Sequence, residues 1–99
     1  MPTAPSTSGA GAAVATKSVT IKNFAFTPAS IRVKVGSTVI WTNGDQDPHN
    51  VISRNRGGPL RSATMNKGNT YRYTFRKTGS YPYLCTIHPS MTGTVVVTR

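Results

Sequence analysis

The chain has 99 residues, 36% of them hydrophobic, with nine glycines and seven prolines, a size and composition that fit one small β-rich domain. No apolar run approaches the roughly twenty residues of a helical membrane span, and the single cysteine excludes an internal disulfide framework. Twelve Lys and Arg against Asp45 and Asp47 give a formal net charge of +10, which sets the sign of a favoured partner and leaves the chemistry open.

Residues 1–16, MPTAPSTSGAGAAVAT, are small, uncharged and rich in Ala, Ser, Thr, Gly and Pro. Such a stretch buries too little apolar surface to order itself, so a flexible tail or linker is expected, with one domain over 17–99. It lacks both the basic start and the continuous apolar segment of a secretory signal. An exported form would have its signal outside this chain.

From Lys17 onward the pattern is that of short strands between turns. In SIRVKV, Ile31, Val33 and Val35 share one face while Arg32 and Lys34 share the other, and Gly36-Ser37 turns the chain into TVIWTN. The stretch 54–69, RNRGGPLRSATMNKGN, has no periodicity and reads as a long loop with room for one short helical turn. TYRYTFR alternates again, with Tyr71, Tyr73 and Phe75 inward and Arg72, Thr74 and Arg76 outward, before Gly79 introduces SYPYLC. The β-branched run GTVVVTR is the last strand, so Cys85 and Met91 stand at the two ends of a strand-to-strand loop.

That loop, CTIHPSM, holds the only cysteine, one of two histidines and a methionine. A short loop can aim a thiolate, an imidazole and a thioether at one point, but the set still lacks a second strong nitrogen ligand. The other histidine, His49, lies in GDQDPHNV after a strand that ends near Asn43, where Pro48 forbids helical continuation. If the two strand ends are neighbours, His49, Cys85, His88 and Met91 match a copper site of two imidazoles, a thiolate and a weak axial thioether. Closed zinc sites take more cysteine and gain little from a thioether, and CTIH lacks the second cysteine of a haem attachment sequence. Taken singly, Cys85 is more often a small buried hydrophobe and Met91 more often a core or loop filler.

Two blocks, IKNFAFTPASIRVKVGSTVIWTNGDQDPHNV and GSYPYLCTIHPSMTGTVVV, make the chain from Lys17 to Arg99 resemble the cupredoxins, or blue copper proteins, and within them the plastocyanin and amicyanin group. The resemblance implies an all-β, Greek-key β-sandwich of two sheets. It implies one type 1 copper ion held by His49, Cys85 and His88 in plane with Met91 axial; Met65 has no matching place. The two residues between His88 and Met91 resemble the short amicyanin form of the loop, and Pro48 stands where azurins carry a glycine whose carbonyl nears the metal. Asn50 is expected to tie the two ligand loops together with Thr86 as its partner, and Pro89 to stiffen the loop. His88, flanked by Pro48, Pro89 and Ile87, is the implied port for electrons. The implied function is single-electron transfer outside the cytoplasm, periplasmic or at the cell surface, by a monomeric carrier that is not itself an enzyme.

Asp45 and Asp47 read as turn formers, and Trp41 and Tyr83 as packing. The basic residues follow strand alternation or are scattered, unlike the clustered basic and aromatic face of a nucleic-acid module, so no nucleic acid is expected. Arg54, Arg56 and Arg61 are a candidate patch for steering an acidic redox partner. Two other functions fit the same ligands: copper storage or delivery, for which the chain lacks Met-rich or His-rich tracts, and the electron-transfer domain of a larger copper oxidoreductase.

Overall fold

The structure, a computed structural model, describes residues 15–99. The tail expected over 1–16 therefore lies, through residue 14, outside the described residues. Eight strands are present among them: β1 (Thr16–Lys22), β2 (Ala25–Thr27), β3 (Ser30–Lys34), β4 (Thr38–Asn43), β5 (Ile52–Ser53), β6 (Thr70–Thr74), β7 (Gly79–Leu84) and β8 (Thr92–Thr98). They form two four-stranded sheets, with strand orders β2-β1-β4-β6 and β3-β8-β7-β5. The fold is an all-β sandwich.

Two pairs are parallel: β1 with β4, in the register Val19 to Trp41, and β3 with β8, in the register Val33 to Val97. The remaining neighbours are antiparallel. Period-two alternation fixes which side chains enter the core, because successive Cβ atoms point to opposite faces. Val33 is buried between exposed Arg32 and Lys34, and Val39 and Trp41 are buried on β4. Val95 and Val97 do the same on β8. A one-residue slip in any of these strands would turn its apolar set to solvent, so the register is strongly specified.

The centre of the sandwich is aromatic. Trp41 and Tyr83 are fully buried and meet edge-to-face at 5.4 Å, and Phe26 packs edge-on to Tyr83 at 4.8 Å. Gly93, opposite Tyr83 in the β7–β8 pair, leaves the space the ring occupies: a Cβ there would stand 2.5 Å from both Cζ and Oη of Tyr83.

Residues 54–69 contain no helical turn; the short one allowed for by the sequence is replaced by turns and isolated bridges. Some hydrogen bonds of this loop close turns within it, and others tie it to the rest of the fold. Gly58 N–H closes a turn onto Asn55 O at 2.9 Å, Ser62 N–H donates to Val51 O at 2.9 Å, and Ser62 Oγ accepts from Val51 N–H at 2.8 Å. Met65 exchanges two backbone bonds with His49, of 2.8 and 3.1 Å. The loop thereby clamps the segment that carries the first histidine.

Candidate metal centre

β4 ends at Asn43, whose side chain is fully buried and organises the turn beyond the strand. Its Nδ2 donates to Asp47 O at 3.0 Å and to Met65 O at 2.9 Å, and its Oδ1 accepts from Asp45 N–H at 2.8 Å. With its amide saturated in this way, Asn43 folds residues 43–47 into a compact turn, and the bridge to Met65 then delivers His49 into the core. His49 is completely buried.

The second segment is the Cys85–Met91 connection between β7 and β8, strands that pair directly up to Leu84 and Thr92. Alternation places Tyr83 and then Cys85 inward. The loop closes on itself: Cys85 N–H donates to Met91 O at 3.1 Å and Met91 N–H to His88 O at 2.9 Å. Cys85 and Met91 are buried, His88 is half-buried, and Thr86, Ile87, Pro89 and Ser90 are exposed.

The two segments meet. His49 Nδ1 lies 3.8 Å from Cys85 Sγ, His88 Nδ1 lies 4.0 Å from the same sulfur, and the two Nδ1 atoms are 3.2 Å apart. The point equidistant from these three atoms is about 2.1 Å from each, the length of a metal–nitrogen bond and close to that of a metal–thiolate bond. The donor set therefore fits one ion without rearrangement. Two imidazoles and one thiolate in a triangle, with a buried thioether at the end of the same loop, is the soft and borderline set that suits copper. Met65 is also buried, but it joins His49 through the backbone.

Asn50 and Thr86 come directly after the first histidine and the cysteine and are hydrogen-bonded to each other twice: Nδ2 of Asn50 donates to Thr86 Oγ1, and Thr86 N–H donates to Asn50 Oδ1, both at 2.8 Å. Pro89 stands exposed next to His88 in the loop.

Two residues of the site were not singled out by sequence reasoning. Asp45, read as a turn former, places Oδ2 2.9 Å from His49 Nε2. Its carboxylate also accepts Asn23 N–H at 2.7 Å and Phe24 N–H at 2.9 Å. Burial pushes the Asp45 carboxyl upward, but the Phe24 and Asn23 amides and His49 outweigh it, so it lies below its ordinary range. Phe24, half exposed, sets its ring edge-on to His49 at 5.6 Å and to His88 at 5.0 Å. The only available signal for Asp45 was its place four residues before His49; for Phe24 there was none, since its position depends on a left-handed turn.

Comparison with known proteins points to the same metal. The family described as copper binding proteins, plastocyanin/azurin family, matches residues 12–98. Amicyanin of Paracoccus versutus is 39% identical over 83 residues, covering 80% of this chain and 62% of that protein, so the chain spans less than two thirds of that relative's length. The crystal structure of amicyanin from the same organism superposes with a TM-score of 0.75 at 38% identity, covering 82% of this chain and 79% of the other. A copper-containing nitrite reductase from Thermus scotoductus superposes at 0.78 with 30% identity, over 84% of this chain and 22% of the reductase. The chain belongs to the plastocyanin/azurin family of copper-binding proteins.

Proposed function

We propose that the protein is a type 1 copper electron carrier, in which His49, Cys85 and His88 would hold the copper ion through two imidazoles and a thiolate and Met91 would add a weak thioether ligand. The observation that carries this reading is the triangle of Nδ1, Sγ and Nδ1 atoms, already at bonding radius around one point. Copper bound there supplies a one-electron Cu(I)/Cu(II) couple, for which thiolate and thioether favour the reduced ion while imidazole serves both states. The chain's part is rigidity. Asn50 and Thr86 lock the two ligand loops together, and the bridge to Met65 fixes His49, so little needs to move when the charge changes.

His88 is the half-buried ligand and His49 the fully buried one, so His88 is the port for electrons. Around it, Phe24 and Ile87 are the exposed large hydrophobic residues among those described, and they form an apolar contact surface for a redox partner. The net charge of +10 favours a partner with an acidic docking surface. No helix among the described residues is long and apolar enough to cross a membrane. The reading places the domain outside the cytoplasm, in a periplasm or at a cell surface, acting as a monomer, with the N-terminal segment available as a tether.

The test is an absorption and paramagnetic-resonance spectrum of the copper-loaded protein, repeated with Cys85→Ser. An intense blue band that bleaches reversibly on reduction, and is lost in the variant, is expected. A colourless Cu(II)-loaded wild type overturns the proposal. A second reading, the electron-transfer domain of a larger copper oxidoreductase, is supported by the likeness to part of a copper nitrite reductase; the same spectrum fits it, and isolation of the native protein with an attached catalytic domain separates the two. Copper delivery would instead show fast transfer of the ion to a chelator together with slow electron self-exchange.

A further inference from the structure

Asp45 sits where two otherwise separate features meet. Its carboxylate faces Nε2 of His49 at 2.9 Å and receives the backbone N–H groups of Asn23 and Phe24 at 2.7 and 2.9 Å. A carboxylate can only accept, so the His49 proton belongs on Nε2, which leaves the Nδ1 lone pair directed toward Cys85 and His88. Asn23 and Phe24 both adopt positive φ, 54° and 58°, a left-handed conformation that non-glycine residues take at a cost and keep only when the surroundings fix it. The Asp45 oxygens are what fix it here. That turn is also what sets the Phe24 ring edge-on to both imidazoles.

We infer that Asp45 is a positioning residue for the copper centre: it sets the tautomer of His49 and, through the Asn23-Phe24 turn, holds Phe24 across the two imidazole edges. The inference rests on the reading of His49 as a copper ligand. A carboxylate on the far nitrogen makes a ligating imidazole more basic. The more basic imidazole favours Cu(II) over Cu(I). Asp45 thus biases the couple toward the oxidised state without touching the metal.

The test has two arms, both on the full chain. In the copper-free protein labelled with nitrogen-15, imidazole spectra are expected to show a His49 proton on Nε2 and none on Nδ1, and His88 ring protons shifted by the Phe24 ring current. A proton on Nδ1 of His49 overturns the inference, and this measurement needs no variant. In the copper-loaded protein, Asp45→Asn removes the charge, and the preference for Cu(II) over Cu(I) is expected to fall about tenfold, an upward shift of roughly 59 mV for one electron. Asp45→Glu, which keeps the charge, is expected to recover most of it. In Asp45→Asn the ring-current shift on His88 is expected to shrink as the turn relaxes.

A purely structural carboxylate would lower thermal stability in Asp45→Asn while leaving the potential and the His88 shifts in place, and that result overturns the inference. A wild type without a blue band would count against the proposed function alone, since the tautomer would still decide the part played by Asp45.

Discussion

Asn50 and Thr86 exchange two hydrogen bonds of 2.8 Å across 36 residues of sequence, each residue next to a proposed copper ligand. The pair is the direct polar tie between the two ligand loops outside the metal itself. Asn50→Ala removes both bonds and leaves Thr86 N–H without its partner, whereas Thr86→Ala removes only one. The expected cost of Asn50→Ala is about 1–3 kcal/mol in the copper-free protein, together with a roughly 10–100-fold loss of copper affinity. Denaturant titration and chelator competition measure the two. Equal and small losses in both variants would show that water replaces the tie.

Much of this was legible in the sequence because it is local. Val33 between Arg32 and Lys34 announces a half-buried strand by its neighbours alone, and Cys85, His88 and Met91 lie within seven residues, so one short loop shows three donors at once. Asp45 was not legible, since an Asp in a turn is ordinary and only the fold brings its carboxylate to His49, Asn23 and Phe24 together. Residues 54–69 resisted for a related reason. The loop is held by backbone bonds from Met65 and a serine hydroxyl at Ser62, and neither leaves a periodic trace in the side chains.

Tyr83 carries a pH prediction. Burial pushes its hydroxyl up to about 12 from 10.0. Neither Tyr83 Oη nor Trp41 Nε1 has a partner at hydrogen-bond geometry. An unfolded tyrosine ionises near 10, so the stability gained by keeping the proton is complete below pH 10 and is lost as the pH rises from 10 through 12. The loss amounts to about 3 kcal/mol at one unit per 1.36 kcal/mol. Tyr83→Phe is expected to lack this alkaline loss and, since the hydroxyl is unpartnered, to be within about 1 kcal/mol of wild type at pH 7. Denaturant midpoints at pH 7, 10 and 11.5 check it; parallel alkaline losses in both proteins would refute it.

Gly93 tests how tightly the core is closed around the same ring. Its missing Cβ would stand 2.5 Å from Cζ and Oη and 2.9 Å from Cε2 of Tyr83, a ring already pinned by Trp41 and Phe26. Gly93→Ala is expected to cost about 1–3 kcal/mol by overpacking. Because the two sites share one contact, Gly93→Ala combined with Tyr83→Leu should cost measurably less than the two changes added. Thermal unfolding of the four proteins closes that cycle, and strict additivity would mean that the ring gives way freely.

Charge makes the last prediction. All twelve Lys and Arg are exposed, and among the described residues none is paired with a carboxylate, the one such contact being His49 with Asp45. Their field therefore reaches solvent uncompensated and is screened over about 10 Å at 0.1 M salt. Oxidation of the Cu(I) protein by an anionic iron hexacyanide should slow by roughly tenfold between low and physiological salt, while oxidation by a cationic cobalt complex should quicken. Arg54, Arg56 and Arg61 lie on the loop whose Met65 pairs with the backbone of His49. If that loop steers partners, a triple change to Glu should weaken the salt dependence more than changing Arg32, Lys34 and Arg72 to Glu, which alters the net charge equally. Stopped-flow rates for the two triple variants decide it: matched slopes would mean that only total charge counts.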